Sequence, residues 1–267
     1  MKKIIMLDID GTLYDYKYGV NTLKLKDYFK KDKKNVYVLN SNRSYEDIKI
    51  VEDEFGLNSI IVAENVCLVY NKGKEYILTN NKQSEEYIDL IKSIISNSYP
   101  KSKILILDTV DIIKNSKKLE DEIYFFINKF RKYSFSIHVK RVKDTELIKE
   151  LSIIKNITQS FKENKELNEN FSIKSSNFGN IIFNPKDCDK ATGLEFIRKN
   201  FYPKSTFICI GDDLFDLVLA KKFDYFFAVN NAEKEVKEKA DGVSKDNYTL
   251  GVYDILTNLD KYIQGAI

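Results

Sequence analysis

The chain has 267 residues, enough for one large or two modest domains, and 43% of them are hydrophobic, which suffices for a sizeable core. Its 43 basic and 40 acidic residues are interspersed and leave a net charge of only +3, which argues against a general attraction to nucleic acid or a membrane surface. Three well-separated cysteines, with no Cys-x-x-Cys pair and no histidine cluster, make a disulfide framework and a zinc site equally unexpected.

The first element is Lys2-Lys3-Ile4-Ile5-Met6-Leu7, whose unbroken apolar run reads as a parallel strand covered on both faces. It runs into Asp8-Ile9-Asp10-Gly11-Thr12. Two carboxylates one residue apart at the C-terminal end of such a strand lie where an open α/β sheet has its ligand crevice. Holding them close is costly unless a cation joins them or one keeps its proton. Taken alone, the segment is equally a strand entering an Asp-Gly turn. The apolar run is too short for a signal segment, and nothing approaches the roughly 18 apolar residues of a membrane span. A reduced, cytoplasmic protein is expected.

A short helix over 23–31 and a buried strand over 35–40 come next, followed by the polar cluster Ser41-Asn42-Arg43-Ser44. Ser44 with Asp47 resembles a capping box and Gly56 a C-cap, so 45–55 is a helix. Ile60 to Ala63 is a third strand. From about 78 to 184 the texture changes: helical spacing over 84–99, 119–133 and 145–161 alternates with strand-like runs at 104–107, 135–142 and 171–173. This block is expected to be an inserted α/β domain over 80–184, leaving 1–79 and 185–267 as the core. The βα rhythm resumes at Lys190, with a helix over 192–200. A buried strand over 206–210 then ends in Gly211-Asp212-Asp213-Leu214-Phe215-Asp216. A strand over 225–229 and helices over 232–240 and 250–259 close the chain. The simplest architecture is an α/β, Rossmann-like parallel sheet interrupted by a second domain.

Parallel strands deliver their C-terminal ends to one crevice, so Asp8, Asp10, Ser41, Lys190, Asp212, Asp213 and Asp216 are candidates for one site. Singly they are unremarkable: Lys190 reads as a solvated helix-start lysine, Ser41 as an N-cap. Together they suit phosphoryl transfer, in which the protein positions the group and stabilises charge on its oxygens. Asp8, Asp212 and Asp216 offer the hard oxygens Mg²⁺ prefers.

The order and spacing of these segments resemble the haloacid dehalogenase (HAD) superfamily of aspartyl-phosphate phosphatases, in particular its Cof-type branch. The resemblance implies that Asp8 is the nucleophile and Asp10 the general acid and base. It implies that Ser41, with Asn42, and Lys190 hold the phosphoryl group, and that Arg43 and Asn231 contact substrate. The metal carboxylates would be Asp8, Asp10, Asp212 and Asp216, with Asp213 in reserve. Ala63-Glu64-Asn65, Asn231-Ala232 and Gly251-Val252 are weaker echoes. Two departures stand out: Phe215 occupies the place of an Asn usual beside the metal, and Val66 that of a Gly.

The insertion resembles the family's larger α/β cap, which selects the substrate. In 135–140 Ser136, His138 and Lys140 alternate with apolar residues and share a strand face. That face is either solvated or turned toward substrate, which makes His138 and Lys140 candidate substrate contacts. The resemblance implies a Mg²⁺-dependent phosphomonoester hydrolase acting on a small phosphorylated metabolite, a sugar phosphate first. The expected partner is that metabolite alone, without nucleic acid or membrane, and the protein a monomer or small homo-oligomer. A phosphomutase, or a catalytically weak protein that binds a phosphorylated ligand, stays open.

Overall fold

β1 (Lys3–Asp8) is buried from Ile4 to Asp8, as its apolar run requires. It pairs in parallel with β2 (Val36–Asn40) on one side and β12 (Thr206–Gly211) on the other. The computed structural model describes residues 2–14, 23–107, 119–144, 146–175, 179–188, 190–214 and 222–266, and of Lys190 and Ala191 the backbone alone. These residues fall into two compact units, one from residue 78 downward together with 190 upward, the other Thr79–Cys188.

The first unit is built on an eight-stranded sheet ordered β14-β13-β12-β1-β2-β3-β4-β5. Its other strands are β3 (Ile60–Ala63), β4 (Leu68–Asn71), β5 (Lys74–Ile77), β13 (Tyr225–Ala228) and β14 (Gly242–Val243). The strands from β14 to β3 pair in parallel, and β4 and β5 add an antiparallel edge. The chain steps outward from β1 through β2 to β3, then through β12 to β13 on the opposite side, so strand order reverses at β1. In open α/β sheets that reversal opens a crevice beyond the strands' carboxyl ends. The helix Tyr45–Phe55 begins at Ser44, whose Oγ accepts the Asp47 N–H, and ends at Gly56 with φ of 62°.

The edge hairpin has no clear sequence signal. Its tight turn is Lys72-Gly73, both at positive φ, and Lys-Gly is a weak marker beside Asn-Gly or Asp-Gly.

The second unit holds a sheet ordered β10-β11-β8-β7-β6, with β9 also on β8. Its strands are β6 (Lys103–Leu107), β7 (Ile123–Asn128), β8 (Phe135–Lys143), β9 (Glu146–Lys149), β10 (Phe171–Ser175) and β11 (Asn180–Pro185). Phe125, Ile137, Val139 and Phe183 pack with Ile91 and Ile157 of the helices Ile88–Ser98 and Leu151–Glu163. Asp187 ties the ends of this unit together: it accepts the Thr79 hydroxyl and the Asn80 N–H, both at 2.7 Å.

Two helices expected here are not formed as such. Residues 119–133 contain β7 instead, because Ile-Tyr-Phe-Phe-Ile at 123–127 is a β-branched and aromatic run buried on both faces. The segment 145–161 splits into β9 and the helix from Leu151, and Thr145 lies outside the described residues. All three cysteines are buried and outside any disulfide, and among the described residues no helix is long and apolar enough to cross a membrane.

Candidate active site

Asp8 closes β1, level with Asn40 of β2, and is 8% exposed. The strand stops there, so Asp10 belongs to the turn that follows rather than to the strand. Ile9 carbonyl oxygen accepts the N–H groups of Leu13 at 3.0 Å and Tyr14 at 2.8 Å, which wraps residues 9–14 into a tight loop. Buried Ile9 and Leu13 anchor it from beneath.

Gly11 is indispensable to this loop for two reasons. Its φ is +95°, where L side chains are strained, and a Cβ there would lie 2.1 Å from Asp212 Oδ2. The Asp212 carboxylate therefore rests on the bare backbone of the loop. Thr12, fully buried, donates its hydroxyl to Asp212 Oδ1 at 2.9 Å. The acidic segments at 8–12 and 211–216 thus meet directly, across 200 residues of sequence.

Asp10 is engaged by Arg43, whose Nε lies 3.1 and 3.0 Å from the two carboxylate oxygens while Nη2 also reaches Oδ1. Such a fork fixes orientation as well as charge. The guanidinium stacks over Tyr14, 5.3 Å from its ring centroid. Arg43→Lys keeps the charge but cannot fork, so its kcat should lie between those of the wild type and Arg43→Ala, with the Ala variant reduced by about 10²-fold. Equal rates for Lys and Ala would show that charge, not the fork, is irrelevant to Asp10.

Ser41 follows β2 and is 2% exposed; its N–H donates to Val62 O and its Oγ accepts the Arg43 N–H at 3.2 Å. Asn42 presents a buried side-chain oxygen with no hydrogen-bond partner among the described residues. Lys190 opens the helix Lys190–Asn200, and its side chain is outside the described atoms. Asp213 lies beside Asp212, half-buried. Asp216 and Phe215 fall outside the described residues.

Asn231 commits both ends of its carboxamide to backbone: Nδ2 donates to Gly11 O and Oδ1 accepts the Tyr248 N–H, both at 2.7 Å. Thr249 adds a bond from its hydroxyl to Leu13 O at 2.8 Å. Asn231 and Thr249 therefore brace the loop of Asp10 from behind. Sequence reasoning had no means to find Thr12, Tyr14 or Thr249 as supports, because their partners are side chains or carbonyls distant in sequence.

The segment Glu64-Asn65-Val66 has three consecutive positive φ values, 54°, 54° and 81°. Its Glu64 N–H donates to Arg43 O at 2.9 Å, so this strained turn steadies the backbone of Arg43. Val66, the residue found in place of a glycine, packs over Gly193.

His138 and Lys140 belong to the second unit. Both are half-buried, so their strand face is not simply solvated. Burial, with Lys140 and Arg131 nearby, pushes His138 down to about 4. Lys140 is lowered by burial and by Lys149.

A sequence model of haloacid dehalogenase-like hydrolases matches residues 5–256, which takes in both acidic segments and the insertion. The chain belongs to that family. The HAD chain is accordingly an enzyme, a hydrolase of the phosphatase type, on a Rossmann-like core with an inserted α/β unit. It is 25% identical to phosphoglycolate phosphatase 1 of Saccharolobus solfataricus, over 99% of this chain and 97% of that one. It is 26% identical to a phosphoglycolate phosphatase of Sulfolobus acidocaldarius, over 100% and 99% of the two chains. A solved haloacid dehalogenase-like hydrolase from Bacteroides thetaiotaomicron shares the fold with a TM-score of 0.70 at 18% identity, covering 98% of this HAD chain and all of that one.

Proposed function

We propose that the protein is a Mg²⁺-dependent phosphomonoester hydrolase that works through an aspartyl-phosphate on Asp8. The observation that carries this reading is an Asp212 carboxylate seated on Gly11 and held by Thr12, in the loop that directly follows buried Asp8 at the end of the central strand. The substrate is a small phosphorylated metabolite. Sugar phosphates suit the chemistry, and the names of the archaeal relatives put phosphoglycolate beside them.

Among the described residues no three acidic, histidine or cysteine side chains gather at one point, and Asp216 lies outside them, so the fit to the cation rests on the chemistry of the donors. Asp8 and Asp212 supply hard oxygen atoms, and Mg²⁺ characteristically takes one or two protein carboxylates and completes its shell with water and substrate oxygen. Asp216 and Asp213 are the further carboxylates on the same segment. When bound, the cation neutralises charge on the phosphoryl oxygens.

An Asp8 oxygen attacks phosphorus in line, and the bond from phosphorus to the ester oxygen breaks as the new one forms. Asp10 gives a proton to the departing oxygen, so the alcohol leaves neutral. Water then attacks the aspartyl-phosphate; Asp10 takes its proton, phosphate departs and the Asp8 carboxylate is regenerated. Ser41, Asn42 and Lys190 hold the phosphoryl oxygens, and Arg43 keeps Asp10 oriented for both transfers.

The test is inorganic phosphate release from phosphoglycolate, sugar phosphates, nucleotides and pyridoxal phosphate. Chelation should reduce turnover by about 10²-fold or more, and added Mg²⁺ should restore it. Metal-independent release would overturn the cation assignment. An isomeric phosphate in place of free phosphate would identify a mutase.

A further inference from the structure

Asp10 stands on a loop and its side chain is 31% exposed, yet a proton donor must meet the leaving oxygen within hydrogen-bond reach. Bonds inside the loop shape it without fastening it: Ile9 O accepts the Leu13 and Tyr14 N–H groups, and Tyr14 O accepts the Gly11 N–H at 3.1 Å. The ties from Asp10 to Arg43 and from Thr12 to Asp212 run through charged groups that themselves belong to the proposed reaction. Two others run to neutral groups outside it. Asn231 Nδ2 donates to Gly11 O, and the Thr249 hydroxyl donates to Leu13 O at 2.8 Å.

Thr249 is the second residue of the helix Tyr248–Thr257 and is 3% exposed. A threonine hydroxyl near a helix start ordinarily bonds its own or neighbouring backbone, whereas this one reaches a carbonyl 236 residues earlier. The backbone that presents it is tightly set. Tyr248 holds φ at +48°, and its N–H donates to Asn231 Oδ1 at 2.7 Å. Ser244, also 3% exposed, donates to Asp246 O at 2.6 Å and accepts the Asn230 N–H at 3.1 Å. A Cβ on Gly251 would stand 2.3 Å from Asp246 O, so the helix start lies hard against that turn. Strain of the kind held at Tyr248 persists where the surroundings over-determine it, and it clusters at functional sites.

We propose that Thr249 is a positioning residue for the proton transfers of Asp10, its hydroxyl holding the loop through Leu13 O so that the carboxyl stays in line with the departing oxygen. This role rests on the hydrolase reading, in which Asp10 protonates that oxygen, and in it Thr249 touches no reacting atom. Leu13 is fully buried, so removal of the hydroxyl leaves its carbonyl without that donor and releases the loop to seek another. A shift of about 1 Å in a catalytic group costs up to about 10²-fold in rate. The strand that ends in Asp8 is paired on both sides and keeps its place, so the loss falls on protonation and not on attack at phosphorus.

Thr249→Val removes the hydroxyl at nearly constant shape, and the leaving group reports where the loss falls. An alkoxide needs a proton to depart, whereas the phenolate of p-nitrophenyl phosphate departs without one. The ratio kcat/KM covers the steps up to departure of the alcohol, so the later transfer between water and Asp10 does not enter. For an alkyl phosphomonoester it should fall about tenfold or more, and for p-nitrophenyl phosphate by less than about twofold. Across a series of alkyl and aryl esters, kcat/KM should depend more steeply on the pKa of the leaving alcohol than in the wild type. Thr249→Ser keeps the hydroxyl and should recover most of the rate on the alkyl ester.

An equal loss on both esters would overturn the proposal, since it would mark a general disturbance of the site, and so would an undiminished rate on the alkyl ester. A serine variant as slow as the valine one would do the same, by assigning the effect to packing. Thr249→Ala makes the same deletion with a smaller side chain, and its ratio between the two esters is read in the same way if the valine variant fails to fold. Wild-type protein that releases phosphate from neither ester would defeat the hydrolase reading and this role with it; wild-type release with an equal loss in the variant defeats this role alone.

Discussion

Asp8→Asn is expected to lower the rate of phosphate release by about 10³-fold or more, the scale on which removal of a covalent nucleophile acts. The substitution is nearly isosteric, and the strand around it is determined by backbone pairing with Asn40 and by the buried run from Ile4 to Leu7. Folding should therefore survive, with stability changed by no more than about 1 kcal/mol. An amide oxygen in place of the carboxylate is a poor nucleophile and a weaker metal ligand, so both proposed roles of the position are removed together. They can be separated. If Asp8 forms the covalent intermediate, acid-quenched wild-type protein carries a phosphoryl group on the peptide containing Asp8, and the Asn variant does not. Turnover persisting in the variant would rule out the aspartyl-phosphate. Loss of turnover with no phosphorylated peptide in the wild type would move Asp8 to a purely electrostatic role and make water the nucleophile.

The central strands are readable from the sequence because parallel strands covered on both faces are continuous apolar runs, and polar residues close them: Asp8 after Leu7, Asn40 after Leu39, and Asp212 one glycine beyond Ile210. That is also why the acidic segments and Ser41 were legible as a group: the topology brings the ends of β1, β2 and β12 side by side. What the sequence did not reveal has a different physical origin. Thr249 reaches the loop of Asp10 across 236 residues, through a bond to a single carbonyl oxygen that leaves no local pattern, and Asn231, expected as a substrate contact, braces the same loop through Gly11 O, 220 residues away. β7 carries no distinctive signal because Ile123 to Ile127 is short and apolar at every position, and such a run satisfies a helical and an extended period equally well. Pairing with β6 and β8, which is non-local, decides in favour of the strand. Val66 was legible as a departure from the family pattern, but its consequence required the backbone angle and the neighbour that accommodates it.

Gly193→Ala should be strongly destabilising for a reason that resides in Val66. Alanine ordinarily improves a helix interior by up to about 1 kcal/mol over glycine. Here the added Cβ would stand 2.5 Å from Val66 Cγ1 and 3.2 Å from Val62 Cγ1. Valine is stiff at χ1, and Val66 is already held at φ of +81°, so it cannot turn aside cheaply. Overpacking of this kind costs about 1–3 kcal/mol, which outweighs the gain in helix propensity. Val66→Gly removes the obstacle. By itself that change sheds about 1–3 kcal/mol of backbone strain but forfeits a comparable amount of buried apolar surface, so it should be close to neutral. In the Val66→Gly background the alanine at 193 should lose most of its penalty. Urea unfolding of the four proteins would then give a coupling of about 1 kcal/mol or more, as contacting residues do. The same pair tests a link to the site, because the helix that Gly193 belongs to opens with Lys190. Displacing that helix should raise KM in Gly193→Ala, and the double variant should recover it. An equal penalty for Gly193→Ala in both backgrounds would show that the helix is seated by Val62 and other neighbours, and that the valine at 66 is a tolerated substitution with no hold on the helix that Lys190 opens.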